Sequence, residues 1–251
     1  MAEVLRFARR SVAKAVQKTV SGTGIEGLLD EIPHCAALTQ VNKLSIKLQD
    51  EELHQEVVKK HILTGHFNFS PITFLIRDEQ DKKRTVMTAR LICSRGFVVQ
   101  ANGKDVMEVG IPNNSTTSLG KIVHPTGATI FKVVATETGK FRVQKVSSQN
   151  PRAVYMTVEK EAKAAYQLAS MSGLLFEDGV YWLKSASGKA IGKMRPKFVL
   201  QQNTLIVNFD DSPADGQSRA VMLGVALLLV LSDAYPELSG VLKDSMSAAE
   251  F

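Results

Sequence analysis

The sequence SRAVMLGVALLLVLSD occupies residues 218 to 233, and its centre, residues 220 to 231, carries no charged side chain. A transmembrane helix needs about 20 apolar residues to cross about 30 Å of hydrocarbon. The uncharged centre is only about 18 Å long as a helix, and Asp215, Arg219 and Asp233 oppose its extension into lipid. Because apolar residues occupy every side of this helix, every side must be buried. The stretch therefore predicts the core helix of a domain that surrounds it.

Residues 65 to 210 supply the candidate surroundings, because they form a series of short segments rich in Val, Ile, Thr and aromatic residues. Many of these segments alternate apolar and polar residues. Four pairs of turn residues separate them: Asn102-Gly103, Thr138-Gly139, Asp178-Gly179 and Ser187-Gly188. One of the predicted strands is LLFEDGVYWLKS, residues 174 to 185. Residues 159 to 171 are either one helical interruption or a long connection between strands. A closed barrel is the antiparallel architecture that surrounds a helix, so we predict a mainly β fold, an antiparallel β-barrel around residues 218 to 233.

The chain begins with a basic amphipathic segment. Over residues 2 to 22, valine and alanine recur every fourth residue on one side of a helix, and basic residues form a second stripe: Arg6, Arg9, Arg10, Lys14 and Lys18. Three interpretations stay open: a helix on an anionic membrane, a mitochondrial presequence, or a helix docked on its own domain or on a protein partner.

These patterns divide the chain into four parts. We predict a basic helix over residues 1–24, a linker segment over 25–64, the barrel with its core helix over 65–240, and a C-terminal tail over 241–251. Within the linker segment, acidic residues precede lysines in a short predicted helix, as the helix dipole prefers.

Composition limits the classes of function. The 31 Lys and Arg residues exceed the 25 Asp and Glu residues by a net charge of +6, which favours anionic surfaces without establishing a nucleic-acid partner. The two cysteines, Cys35 and Cys93, exclude a disulfide framework and a cysteine-based zinc site, and they fit a reducing compartment inside the cell.

The sequence contains no recognisable catalytic constellation. The five histidines are dispersed, and no metal-binding spacing, nucleophile elbow or phosphate-binding glycine loop is present. No face that interleaves basic and aromatic residues is evident, so nucleic-acid binding is not supported either. We therefore predict that the protein is not an enzyme and that it uses neither a metal nor a cofactor.

The segment GKMRPK places Lys193, Arg195 and Lys197 at alternate positions, with Met194 and Pro196 between them. In an extended strand the three cations share one face. Such a face suits an anionic lipid headgroup, each cation contributing about 1 kcal/mol near an acidic leaflet. The competing interpretation is a solvated strand face.

Three segments together resemble the tubby C-terminal-like fold, which tubby proteins, plant LURP-one-related proteins and phospholipid scramblases share. The final strand, acidic turn and apolar helix, LIVNFDDSPADGQSRAVMLGVALLLVLSDAY, are most similar to the scramblases. SGKAIGKM and GKIVHPTGATIFKVVATETGKFRVQ resemble their preceding strand and their hairpins. The resemblance implies about twelve strands around the helix and an association with phospholipids.

The chain also departs from the scramblases. It has eight prolines in all and no proline-rich N-terminus, and its two cysteines form no cluster. In its acidic turn Pro213 and Met222 stand where a calcium loop requires oxygen ligands, although Asp211, Asp215 and Gly216 fit. We therefore expect a capped turn, with Asp215 or Ser218 as the N-cap, rather than tight calcium binding.

The sequence predicts a non-catalytic module that binds anionic phospholipid headgroups at a membrane surface inside the cell. The lipid-binding residues expected are the basic residues of the N-terminal helix and of the GKMRPK strand: Arg6, Arg9, Arg10, Lys14, Lys18, Lys193, Arg195 and Lys197. The alternative is a soluble protein-interaction or regulatory scaffold with a purely structural barrel, whose N-terminal helix docks on a partner.

Overall fold

The computed structural model describes residues 31–65, 69–81, 84–93, 95–112, 117–146, 153–197, 203–209 and 215–248. Twelve antiparallel strands form a closed barrel in which each strand pairs with the next along the chain, and β1 pairs with β12 to complete the circle. The strands are β1 (Lys43–Leu48), β2 (Ile72–Asp78), β3 (Thr85–Ile92), β4 (Gly96–Ala101), β5 (Lys104–Gly110), β6 (Ser118–Val123), β7 (Thr129–Glu137), β8 (Lys140–Lys145), β9 (Val154–Ala162), β10 (Gly179–Ser185), β11 (Ala190–Pro196) and β12 (Thr204–Phe209). The predicted fold class is confirmed.

The apolar stretch near the C-terminus lies inside this barrel, as predicted. It forms helix α4 (Gly216–Leu229), which continues as a π-helical segment (Val230–Ala234). The span Gly216–Ala234 is long and apolar enough to cross a bilayer by length and composition, but 78% of its most apolar window is buried in the protein. Gly224 lets α4 approach the barrel wall closely, because a Cβ atom there would lie 2.7 Å from Ile122 Cδ1 on β6.

Two polar side chains begin the core helix. The Asp215 carboxylate accepts a hydrogen bond of 2.7 Å from the backbone N–H of Ser218, so Asp215 is the N-cap. Arg219 is only 7% exposed. Its guanidinium donates to the carbonyl oxygens of Leu38 and Val41, each at 2.8 Å. Burial lowers the pKa of Arg219, and these bonds fasten the segment around helix α1 (Ala36–Thr39) to the core helix.

The two ends of the barrel differ. We term the end at which α4 begins the bottom and the end at which the π-helical segment leaves the top. Helices α2 (Glu51–Thr64) and α5 (Pro236–Ala248) pack on each other at the top, where His61 Nε2 lies 3.1 Å from Asp244 Oδ2. Helix α3 (Ala164–Met171), which joins β9 to β10, also lies at the top.

Strand β1 is the main element that the sequence reading missed, since residues 25–64 were predicted to be a linker segment. Its side chains alternate as barrel strands require: Leu44, Ile46 and Leu48 are buried, and Lys43 and Lys47 are half-buried. Without β1 the barrel could not close, because β2 and β12 both pair with it. The predicted helix in this segment is present as α2.

Two further boundaries differ from the prediction. Residues 174–178 were expected to open a strand, but β10 begins only at Gly179, so Asp178-Gly179 is not a hairpin turn. Glu177 is buried there and binds Lys160 and Tyr181, which holds the segment as a connection. The predicted tail from residue 241 instead continues helix α5, because Leu238, Val241 and Leu242 pack into the core.

Other local predictions agree with the structure. The helical interruption is present as α3, but it begins at Ala164 rather than at residue 159, because residues 159–162 continue β9. Asn102 and Gly103 both adopt positive φ values, 51° and 74°, as a type I′ hairpin turn requires. The predicted N-terminal helix, with Arg6, Arg9, Arg10, Lys14 and Lys18, lies outside the described residues, as do Asp211 and Pro213 of the acidic turn.

Candidate functional site

Strand β11 presents its cations outward, as its alternation predicts. Lys193 and Arg195 are half-buried on the outer surface, whereas Met194 and Pro196 are buried against the core. Lys197 follows directly and continues the same alternation, its backbone N–H donating 2.9 Å to Thr204 O on β12. The three cations therefore share one face of the barrel.

Barrel closure places further cations beside them. Strand β12 lies between β11 and β1, and β1 pairs in turn with β2. The strand register aligns the cations in three rows, each crossing an uncharged residue of β12: Lys193 with Lys43 across Asn208, Arg195 with Arg77 across Ile206, and Lys197 with Lys47 across Thr204. We call these six residues the basic face.

The dimensions of the basic face follow from strand spacing. Neighbouring strands lie about 4.8 Å apart, so the backbones that carry the two cations of a row are about 10 to 14 Å apart. The floor between them is uncharged, and its central residue, Ile206, is only 1% exposed. The arrangement is two lines of cations on either side of β12, and the Glu79 carboxylate bridges them between Lys197 and Ser45 of β1.

Among the described residues, one carboxylate forms an ion pair with these cations, that of Glu79. Lys197 Nζ donates to both of its oxygens, at 2.8 and 2.9 Å. Burial raises the pKa of Glu79, but the hydrogen bonds from Lys197 and Ser45 and the charges of Lys197 and Lys43 outweigh it and leave that pKa lowered. Glu79 therefore stays ionised and neutralises Lys197, while no ion pair among the described residues involves the other five cations.

Two of those five have informative surroundings. Lys193 Nζ lies 5.3 Å from the ring centroid of Trp182 on β10, a cation–π contact that holds the ammonium near the surface. Arg77 Nε is buried and has no hydrogen-bond partner in the described structure. A buried donor without a protein partner is uncommon in a folded protein.

Sequence reasoning found half of the basic face and missed the other half. The sequence prediction omits Lys43 and Lys47 because it assigns β1 to a linker segment. The alternation of apolar and other residues in KLSIKL is nevertheless the same signal as in GKMRPK. Arg77 lies in a strand that was predicted correctly. Its neighbourhood with Arg195 depends on closure between β1 and β12, which no local pattern reveals.

A cavity of about 630 Å³ opens at the top of the barrel, between α2 and the start of α5. Val58, Ile62 and Leu63 form one side, and Glu51 and Glu237 lie at its edge. His54 points its ring onto Tyr235 there, with the centroids 5.1 Å apart. Burial lowers the pKa of His54 against the opposing charges of the two glutamates. Because its lining carries two acids and one lysine, Lys59, the cavity does not extend the anion-binding character of the basic face.

Four histidines lie among the described residues. His34 precedes α1, His54 and His61 lie on α2, and His124 lies in the β6–β7 turn, where its Nδ1 is 2.8 Å from Thr126 Oγ1. Among the described residues, no group of three or more His, Cys, Asp or Glu side chains is arranged to hold a metal ion. The basic face is thus the charged arrangement whose chemistry points most clearly to a ligand.

Comparisons with known proteins give one structural match. No model of a known protein family matches the chain, and no curated protein matches it either. An X-ray structure of a protein from Arabidopsis thaliana is similar at 12% sequence identity with a TM-score of 0.31, and the match covers 57% of this chain and 87% of that one. This similarity assigns neither a family nor a function to the chain.

Proposed function

We propose that this protein is a non-catalytic module that binds the anionic headgroups of phospholipids through its basic face. The observation that carries the proposal is the arrangement of six cations in three rows with one carboxylate among them. Cations placed on a β-sheet surface only for solubility are normally interspersed with acids. On strands β7 to β10, for example, Lys140 pairs with Glu137 and Lys184 with Glu159.

A phospholipid headgroup suits the shape of this face. A phosphate over the strip of β12 would lie between a cation of β11 and a cation of β1 or β2, and each cation contributes about 1 kcal/mol near an acidic leaflet. Arginine favours phosphate because its planar guanidinium donates two parallel hydrogen bonds.

The fold supports a relationship that the sequence resemblance implies. A closed barrel of twelve strands around a buried C-terminal helix is the architecture of the tubby C-terminal-like proteins, to which the scramblase-like segments point. We infer that the chain is a tubby-like, scramblase-like module. Scrambling of lipids is not part of the proposal, because the core helix is enclosed by the barrel rather than available to a bilayer.

The N-terminal basic residues complete the proposal. Arg6, Arg9, Arg10, Lys14 and Lys18 would add electrostatic attraction to an acidic leaflet if they form the predicted helix. The protein would then work at a membrane surface inside the cell, held by charges that salt can screen.

Charge reversal on the basic face tests the proposal. We expect the full-length variant K193E/R195E to bind vesicles of phosphatidylserine and phosphatidylcholine at least about 30-fold more weakly than wild type, because two cations are lost. The matched control is K132E/R142E, which reverses two exposed cations on β7 and β8, on the far side of the barrel. Co-sedimentation at low salt measures both.

Two results would contradict the proposal. One is wild-type binding that does not depend on the phosphatidylserine content of the vesicles. The other is an equal loss in the two double variants, since net charge rather than the basic face would then govern binding. If wild type bound no vesicles at all, the soluble protein-interaction scaffold would become the better account.

A further inference from the structure

The exposed apolar side chains are concentrated at one end of the barrel. Six large hydrophobic side chains are exposed among the residues that the structure describes, and five of them lie at the top: Ile62, Leu63, Leu168, Met171 and Leu174. The sixth, Val154, begins β9 at the bottom and is only 36% exposed. Met171 is 86% exposed, although burying such a side chain is worth roughly 1.5 to 3 kcal/mol.

The connection around helix α3 is built to project its apolar residues. No charged residue occurs from 164 to 176. Ala169 and Leu175 are buried and hold the connection against the barrel, while Leu168, Met171 and Leu174 point away from it. We call these three residues the apolar tip.

The backbone of this connection forms several hydrogen bonds within itself. The backbone N–H groups of Ser172 and Leu174 donate to the carbonyl oxygens of Leu168 and Ala169, at 3.1 and 2.8 Å. The Ser172 hydroxyl donates to Ala169 O at 2.9 Å. These bonds shape the backbone that carries the apolar tip.

The exposed apolar residues flank the basic face. Helix α2, with Ile62 and Leu63, follows β1 directly, and the connection that carries the apolar tip leads into β10, the neighbour of β11. The step from β10 to β1 crosses three strand spacings, about 14 Å. Between these two groups, at the same end of the barrel, lie Lys47 and also Lys197, whose charge Glu79 neutralises.

We propose that the top of the barrel faces the membrane and that the apolar tip, with Ile62 and Leu63, enters the hydrocarbon boundary of a phospholipid bilayer. The proposal rests on the proposed function, because the bilayer is the one whose headgroups occupy the basic face. A bilayer suits this surface because it offers a broad apolar phase under a charged layer. At the top of the barrel, two apolar groups flank cations, which matches an apolar phase next to a charged layer.

Salt concentration separates the contribution of charge attraction to membrane binding from that of apolar insertion. Charge attraction weakens as the Debye length falls from about 10 Å at 0.1 M salt to about 3 Å at 1 M, whereas apolar insertion persists. The test compares full-length wild type with L168Q/M171Q/L174Q on vesicles of phosphatidylserine and phosphatidylcholine. V154Q is the matched control, because it removes an exposed apolar side chain at the opposite end.

We expect the apolar-tip variant to bind about 10- to 100-fold more weakly than wild type at 1 M salt and to retain salt-sensitive binding at 0.1 M. V154Q should match wild type at both concentrations. The inference is overturned if the apolar-tip variant matches wild type at both, even where K193E/R195E loses binding and so supports the basic face. Absence of wild-type binding at 0.1 M salt would overturn both proposals.

Discussion

Replacing Arg219 by methionine tests how the core helix is fastened at the bottom of the barrel. Methionine keeps much of the side-chain volume and removes the guanidinium, which is 7% exposed. The change breaks two hydrogen bonds of 2.8 Å to Leu38 O and Val41 O and two longer ones, at 3.3 Å, to Thr39 O and Asn42 Oδ1. It also removes the stacking of the guanidinium on Phe209, at 5.1 Å from the ring centroid.

The size of the effect follows from these contacts. A hydrogen bond from a charged donor contributes about 1.5 to 3 kcal/mol, and buried carbonyl groups that lose their donor add to the cost. Removing the buried charge offsets part of the loss, because a desolvated guanidinium is itself costly. We expect R219M to lower the free energy of unfolding by about 3 to 5 kcal/mol, a large share of the about 5 to 15 kcal/mol typical of a domain.

Urea denaturation followed by circular dichroism measures this loss. With a slope of about 2 to 3 kcal/mol per M, the midpoint should fall by about 1 to 2 M. The control is R195M, which removes the half-buried arginine of β11, whose one hydrogen bond in the described structure is long, 3.4 Å to Pro196 O. Its expected change is under about 1 kcal/mol. If R219M were no more destabilising than R195M, the bonds from Arg219 would not fasten the α1 segment to the core helix.

Two further predictions concern packing and pH. G224V should destabilise the protein by about 1 to 3 kcal/mol, because a Cβ at Gly224 would lie within 2.9 Å of two carbon atoms of Ile122. The control is G240V, at a helical glycine where an added Cβ would meet nothing within 4 Å, and it should change stability by less than about 0.5 kcal/mol. Equal effects of the two variants in urea denaturation would refute this packing. Burial raises the pKa of Glu177 above its ordinary 4.5, despite its hydrogen bond from Lys160. As the pH rises past 4.5 the unfolded chain releases this proton before the folded chain does, so wild type loses stability relative to E177Q over the window up to the raised pKa. Thermal denaturation of both proteins across that window checks the sign, and a constant difference between them would contradict it.

The core helix and the surrounding barrel can be predicted from the sequence more readily than strand β1 and the boundary of β10. An apolar stretch without a polar side, bounded by Asp215 and Asp233, can only be buried, and β-rich surroundings then require a barrel. β1 was harder to recognise because it is a single short strand before a helix, and its partner β12 lies far away in the sequence. Residues 174–178 have strand-like composition, but the contacts of Glu177 with Lys160 and Tyr181 decide their conformation.

The candidate site was likewise only partly predictable from local sequence patterns. Alternation along one strand reveals Lys193, Arg195 and Lys197, because a side-chain period of two is a local property. The opposing cations Lys43 and Arg77 join them only through barrel closure, which is not a local property. The pairing of Lys197 with Glu79, which removes one of the predicted cations from the available set, depends on the same closure.

The central claim is that the barrel itself recognises anionic lipid. The most direct measurement is co-sedimentation of the full chain, and of a chain that starts at Gly24, with neutral and acidic vesicles at low and high salt. We predict that both bind acidic vesicles at low salt and that neither binds neutral vesicles as tightly, because residues 31–209 contain the whole basic face. Binding by the full chain alone would assign recognition to the N-terminal basic residues and contradict the claim.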